Sequence, residues 1–193
     1  KKTLGVVGLG KIGSHVARVA QAMGMDVIAY DPFVASDRAL KMQVRLTDLS
    51  ELFRTADYVT LHIPRTKDTE NLVNAELLRT MKSTARIVNC ARGGVVDEAA
   101  IAEAIDRGVI AGAGLDVYAS EPLAEGSPLR AVERGLVLTP HLGASTEEAQ
   151  ENVAVDVAEQ IRDVLLGLPA RSAVNIPGLS AEIMERLKPH LQL

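Results

Sequence analysis

The sequence predicts an α/β domain built on a doubly wound parallel sheet. Three observations carry that expectation. Short aliphatic runs alternate with helical stretches from Thr3 to Thr139, the pattern of strand–helix–strand units. Hydrophobic residues make up 47% of the 193, yet aromatics are only 3% and Trp is absent. A core of Val, Ile, Leu and Ala suits parallel strands covered on both faces. Finally, Gly8-Leu9-Gly10-Lys11-Ile12-Gly13 stands between the first strand and the first helix.

The elements follow in order. Thr3 to Val7 reads as a strand, Ile12 to Met23 as a helix and Asp26 to Tyr30 as a second strand. Helical pieces are expected over Ser36 to Lys41 and Asp48 to Thr55, then a strand from Tyr58 to His62, stopped by Pro64. Ala75 to Met81 is helical, and Arg86 to Asn89 is a strand leading to the Gly93-Gly94 turn. Asp97 to Arg107 is a helix, with Gly108 as its terminating glycine. Ile110 to Val117 is a strand in which Gly112 and Gly114 let helices approach, and Leu136 to Thr139 is the last strand before Pro140.

The end of the chain differs. Ser145 and Glu148 have capping-box spacing, which predicts a helix from Thr146 to Leu166 ended by Gly167 and Pro169. That helix is amphipathic and long for a simple crossover, and it offers a two-fold interface for a homodimer or homotetramer. An extended return over Arg171 to Pro177 and a helix over Ser180 to Leu193 complete the reading. The expected division is a nucleotide-binding domain over 1–145 and a crossover helix and return segment over 146–193. The chain opens at Lys1 without Met and runs straight into a strand, so a fragment of a longer protein is expected.

A net charge of −4 gives no broad basic footprint for nucleic acid, so an anionic substrate must be drawn by particular Arg and Lys residues or helix N-termini. The one cysteine, Cys90, forms no internal disulfide and fits a reducing, cytoplasmic setting. No apolar run approaches the roughly 20 residues of a membrane span, and no signal peptide or metal site is expected.

The glycine turn gains meaning from its context. Gly8 permits the tight turn, Gly10 lets a pyrophosphate approach the backbone, and Gly13 lets the helix pack on the strand. The helix N-terminus presents N–H groups and partial positive charge to phosphate. Asp31 ends the second strand about 20 residues on, where an acid receives ribose hydroxyls and repels a 2′-phosphate. NAD is therefore expected over NADP. The competing reading is a ligand-free turn with Asp31 as a helix cap.

Polar residues follow three later strands: Arg92, Glu121 and His141. Ligands in such sheets bind at the carboxyl ends of strands. Each residue has an ordinary reading as a surface or loop residue, but together they form a coherent set. His141 is the natural base for a hydroxyl proton near neutral pH. Glu121 orients its ring. Arg92 grips a carboxylate in bidentate fashion.

The sequence resembles the D-isomer-specific 2-hydroxyacid dehydrogenases. The resemblance rests on Gly8 to Gly13, on Asn89-Cys90-Ala91-Arg92-Gly93-Gly94-Val95-Val96-Asp97, on Gly114-Leu115-Asp116-Val117-Tyr118 through Glu121-Pro122, and on Pro140-His141-Leu142-Gly143-Ala144-Ser145-Thr146. Within that family, His141 through Gln150 and the tail Val174-Asn175-Ile176-Pro177 leading to Leu187-Lys188-Pro189 look most like the members that oxidise 3-phosphoglycerate at the head of serine synthesis. The resemblance implies a Rossmann domain and makes Arg92, Glu121 and His141 the catalytic set. It also implies NAD contacts from Lys11, Ile12, Asp31, Ile63, Cys90, Ala91, Arg92, Asp116, His141, Gly143 and Ala144, with Asp116 near the nicotinamide carboxamide. Lys11 departs from the family's frequent Arg or His, and Ile63 from its frequent Thr. The resemblance further implies that most of a substrate domain precedes this segment. Alternatives in view are another D-2-hydroxy acid, such as glycerate, glyoxylate or lactate, and an NADH-sensing corepressor-like module.

Overall fold

The computed structural model describes residues 1–170 together with Ile183 and Arg186. The extended return expected over 171–177 and, apart from those two residues, the helix over 180–193 lie outside the described residues. The chain divides into two compact units, Lys1–Gly143 and Ala144–Leu193.

In the first unit, seven parallel strands form one sheet in the order β3-β2-β1-β4-β5-β6-β7. They are β1 (Thr3–Val7), β2 (Asp26–Tyr30), β3 (Arg45–Leu46), β4 (Tyr58–Leu61), β5 (Arg86–Asn89), β6 (Gly112–Leu115) and β7 (Leu136–Leu138). The helices between them are α1 (Lys11–Ala22), α2 (Ser36–Lys41), α3 (Leu49–Thr55), α4 (Ala75–Arg79) and α5 (Glu98–Asp106). The order reverses between β1 and β4, which makes their carboxyl ends the switch point where such sheets bind ligands.

Side-chain alternation explains why both faces are covered. Leu4 and Val6 of β1 enter one core with Val27 and Ala29 of β2, Ala17 and Ala20 of α1 and Ala39 of α2. Val7 of β1 and Ile28 of β2 point the other way, into a core shared with Leu52, Phe53, Leu77, Leu78 and Ile101 from α3, α4 and α5. Phe53 is the only aromatic among the largest fully buried side chains. Each Leu or Ile fully buried here contributes about 1.5–3 kcal/mol relative to exposure, so aliphatic packing fixes the strands whose ends carry the site.

At the amino edge of the sheet, Asp57 accepts from Thr3 N at 2.8 Å and pairs with Lys82 at 3.2 Å and Lys2 at 3.5 Å. The Thr3 hydrogen bond, followed by the lysine charges, holds its carboxyl below the usual range against a raising effect of burial. This ties β1 to β4 at the end opposite the candidate site.

Several elements differ from expectation. β3 is two residues long, too short for a periodic signal, and the 3-10 turn Pro128–Ala131 carries none either. β6 is shorter than Ile110 to Val117. Ile110 is buried, but it belongs to the turn in which Gly108, at φ 67, ends α5. Asp116 to Tyr118 leave the ladder to build the site. Gly112 faces the backbone of Gly135, 2.1 Å from where a Cβ would stand, and Gly114 borders open space. Among the described residues, no helix packs against the Cα of either glycine.

In the second unit, α6 (Glu147–Leu165) begins one residue later than a Ser145 cap requires. Thr146 is the N-cap, accepting from Ala149 N at 3.1 Å, so the expected Ser145–Glu148 capping box is replaced by a Thr146 cap. Gly167 ends the helix at φ 79. No residue of α6 is buried, and Val153, Val157, Ile161 and Val164 form an exposed aliphatic stripe.

Candidate active site

The glycine turn shows what its sequence predicts and why. Gly8 has φ 96, a left-handed conformation that disfavours any side chain, and a Cβ there would stand 2.6 Å from His62 O. A Cβ on Gly13 would stand 1.9 Å from Gly8 O, so only glycine lets α1 close on the turn. Gly10 is different: a Cβ there meets nothing within 4 Å. Gly10 is also the N-cap of α1, with no side-chain cap on the helix. The first N–H groups of α1 thus face open space, which is what a pyrophosphate requires. Lys11 and Ile12 are exposed beside it, Ile12 at 69%.

Asp31 braces this cradle from the end of β2. One carboxylate oxygen accepts Leu9 N at 2.7 Å, and the other accepts Phe33 N at 2.9 Å and Val34 N at 3.2 Å. It is not the cap of α2, which is Ala35. A carboxylate has about four acceptor sites; three are used, two of them on Oδ1, so Oδ2 retains capacity for a ribose hydroxyl. These features fit a dinucleotide. Gly10→Ala is expected to cost less than about 1 kcal/mol of stability, the N-cap preference of glycine over alanine. It should weaken NAD binding at least about tenfold, because the new methyl fills the approach. Thermal melting and NAD titration of the same variant check both halves.

At β4, His62 Nε2 lies 3.0 Å from Thr60 Oγ1, and desolvation pushes its imidazole below the ordinary range. His62 is therefore a neutral wall of the turn. Ile63 beside it is half-buried, and its Cγ2 comes within 2.9 Å of where a Gly8 Cβ would stand.

The other half of the site follows β5, β6 and β7. Asn89, 1% exposed at the end of β5, accepts Ala91 N at 3.1 Å and donates to Arg92 O at 3.1 Å. It thereby shapes the loop Cys90-Ala91-Arg92. Arg92 is exposed, and its guanidinium donates to Ala91 O at 2.6 Å. Cys90 is exposed, and desolvation with the Asp116 charge pushes its thiol up, which keeps it protonated. Gly93 joins this loop to the next, since a Cβ there would stand 1.7 Å from Tyr118 O.

Glu121 and His141 meet directly. His141 Nδ1 and Glu121 Oε2 are 2.7 Å apart, and Glu121 Oε1 accepts Tyr118 N at 3.1 Å. The His141 contact and then the Tyr118 N–H hold the Glu121 carboxyl below its usual range. An ionised carboxylate only accepts, so Nδ1 carries the proton and Nε2 is the basic nitrogen. His141 has φ 57, a left-handed conformation that costs a non-glycine residue about 1–2 kcal/mol.

Asp116, expected beside the nicotinamide, is 4% exposed and gives both oxygens to the histidine loop. Oδ1 accepts Thr139 Oγ1 at 2.5 Å and Leu142 N at 2.7 Å, and Oδ2 accepts Gly143 N at 2.8 Å. Gly143 closes the first unit, and Ala144, exposed, opens the second.

The structure thus pairs Glu121 with His141 and puts Arg92 on the loop beside them. Asn89, Tyr118 and Thr139 were not expected to take part. Their signal in the sequence is a polar residue at or just past the end of an apolar strand. Among the described residues, no group of His, Cys, Asp or Glu could hold a metal ion, and no helix is long and apolar enough to cross a membrane.

Residues 1–143 match the family described as D-isomer specific 2-hydroxyacid dehydrogenase, NAD binding domain. The chain is 66% identical over 193 residues to D-3-phosphoglycerate dehydrogenase of Synechocystis sp., covering 100% of this chain and 34% of that protein. It is 46% identical over 193 residues to the protein of the same name from Bacillus subtilis, covering 100% of this chain and 36% of that one. The chain spans about a third of the length of these curated relatives. The NAD-complexed D-isomer specific 2-hydroxyacid dehydrogenase from Lactobacillus delbrueckii ssp. bulgaricus superposes with a TM-score of 0.77 at 34% identity, over 90% of this chain and 56% of that one.

Proposed function

The chain belongs to the D-isomer specific 2-hydroxyacid dehydrogenase family, as its NAD-binding domain, and from that premise we propose that the protein carrying it oxidises 3-phospho-D-glycerate to 3-phosphohydroxypyruvate, the first step of L-serine biosynthesis. The observation that carries the reading is the His141–Glu121 pair, at 2.7 Å, at the carboxyl edge of the sheet that bears the dinucleotide turn. The substrate within the family follows the relative that is 66% identical.

Bound NAD supplies the hydride acceptor. The residues supply the rest. The α1 N-terminus and Lys11 bind the pyrophosphate, and Asp31 receives the adenosine ribose hydroxyls and repels a 2′-phosphate. Ile12, Ile63, Cys90, Ala91, Gly143 and Ala144 line the cofactor's path. Arg92 holds the substrate carboxylate and polarises the C2 oxygen. His141 Nε2 takes the C2 hydroxyl proton as the C2–H hydride departs, leaving a C2 carbonyl. Glu121 steadies the resulting imidazolium. In reduction, His141 returns the proton. Asp116 holds the loop that carries His141, and its remaining acceptor site serves the nicotinamide carboxamide. We read the protein as a cytoplasmic homodimer or homotetramer. The aliphatic stripe of α6 supports assembly, and the single Cys90 fits a reducing compartment.

The test is NADH formation by the full-length protein from a panel of acids at equal concentration. 3-Phosphoglycerate is expected to give the highest kcat/KM, above glycerate and lactate by at least about a hundredfold, the scale on which a site built for a charged group rejects its lack. Equal turnover of lactate or glycerate would contradict the substrate. NADH-dependent capture of a peptide partner without turnover of any acid would contradict the enzyme reading.

A further inference from the structure

We infer that the Thr139 hydroxyl is a positioning residue for the base, closing one end of a staple that holds His141 in its left-handed conformation. The inference rests on the reading of His141 as the base, and it concerns how the chain holds it there.

Every backbone N–H of the loop 139–143 has a destination. Thr139 N donates to Leu115 O at 3.1 Å, and His141 N to Thr139 O at 3.0 Å. Pro140 has no N–H to place. Leu142 N and Gly143 N both donate to the Asp116 carboxylate, at 2.7 and 2.8 Å. Asp116 thus grips the loop after His141. On the other side of the histidine, the single direct tie to that carboxylate is the Thr139 hydroxyl, at 2.5 Å from Oδ1. His141 therefore sits between two attachments to one buried carboxylate.

Thr139 has a second partner that fixes it in place. Its carbonyl accepts the Tyr118 hydroxyl at 2.8 Å as well as His141 N. Tyr118 N in turn donates to Glu121 Oε1 at 3.1 Å. One residue thereby connects the loop carrying the base with the loop carrying the acid that orients it. A left-handed histidine relaxes unless its surroundings over-determine it, and Thr139 supplies both a side-chain and a main-chain part of that determination. Valine has nearly the same shape and lacks only the donor.

The experiment compares Thr139→Val, Thr139→Ser and His141→Gln in the full-length protein. It measures kcat, KM for NAD and the primary isotope effect with substrate deuterated at C2. Thr139→Val is expected to lower kcat roughly 10- to 100-fold, the cost of misplacing a reacting group by about 1 Å, with KM for NAD unchanged. The isotope effect on kcat should rise, because the chemical step becomes slower than product release. Thr139→Ser keeps the donor and should restore kcat to within about threefold. A loss of packing alone would not raise the isotope effect. Wild-type kcat in Thr139→Val with His141→Gln inactive would overturn the staple and leave the base in place. A serine variant as impaired as the valine variant would also overturn it. Unchanged turnover in His141→Gln would overturn both the base and the staple.

Discussion

Replacing His141 by Gln is expected to lower kcat/KM for the hydroxy acid by about a thousandfold, in the middle of the range that general acid–base catalysis contributes. NAD should still bind, with its affinity within about threefold of the parent, because the cradle at Gly10 and Asp31 depends on other strands. The physical case is the pair itself. Glu121 is held ionised by the His141 contact and the Tyr118 N–H, so it fixes the Nδ1 tautomer and presents Nε2 as the proton acceptor. Glutamine preserves bulk and polarity but takes no proton near neutral pH. Steady-state kinetics with an NAD titration on the same preparation check both halves. Parent-like turnover would remove His141 from the role of base.

The second large effect is expected at Asp116. Asp116→Asn turns an acceptor of three hydrogen bonds into a group with one acceptor oxygen and one NH2. The NH2 then faces Gly143 N or the Thr139 and Leu142 donors, and at least one of these part-buried donors loses its acceptor. The expected loss is about 2 kcal/mol of stability, within the range for removing a hydrogen bond to a charged group. Turnover should fall about a hundredfold, because the His141 loop loses its anchor.

The pH dependence has a definite sign. Burial is the largest single influence on Asp116 and pushes its carboxyl up, but the Thr139 hydroxyl, the Leu142 and Gly143 N–H groups and the charge of His141 outweigh it and leave it lowered. A carboxyl lowered on folding adds stability that is present above its unfolded value, about 3.9. That stability is lost as pH falls through the lower folded value. Denaturant melts should therefore show the parent losing its advantage over Asp116→Asn between about pH 4 and the acid limit. An advantage that persists at the acid limit would contradict the assignment.

Much of this was legible because parallel sheets constrain sequence strongly. β1, β2 and β5 run over the residues their aliphatic runs mark, since strands buried on both faces have little freedom to end elsewhere. The glycine turn was legible for a different reason. Gly8 and Gly13 answer to backbone approaches of 2.6 and 1.9 Å that admit no other residue. What escaped was either short or relational. β3 has two residues and no period. The cap of α6 moved by one residue because Thr146, like Ser145, has a hydroxyl suited to capping. Asn89, Tyr118 and Thr139 act through hydrogen bonds between loops that are distant in sequence, as Tyr118 and Thr139 are at a separation of 21 residues. Spacing along one chain reveals no such partners. The ties of Asp116 to the histidine loop, up to 27 residues away, are relational in the same way.

We propose that one edge of this sheet brings a hydroxy acid, NAD and His141 into a single hydride-transfer site. The most direct test is oxidation of 3-phosphoglycerate deuterated at C2 by the full-length protein with NAD, followed by mass analysis of the cofactor. One deuterium on the nicotinamide ring of the reduced product, matched by one equivalent of keto acid, is the expected result. Reduced cofactor without deuterium, or keto acid formed without reduced cofactor, would contradict it.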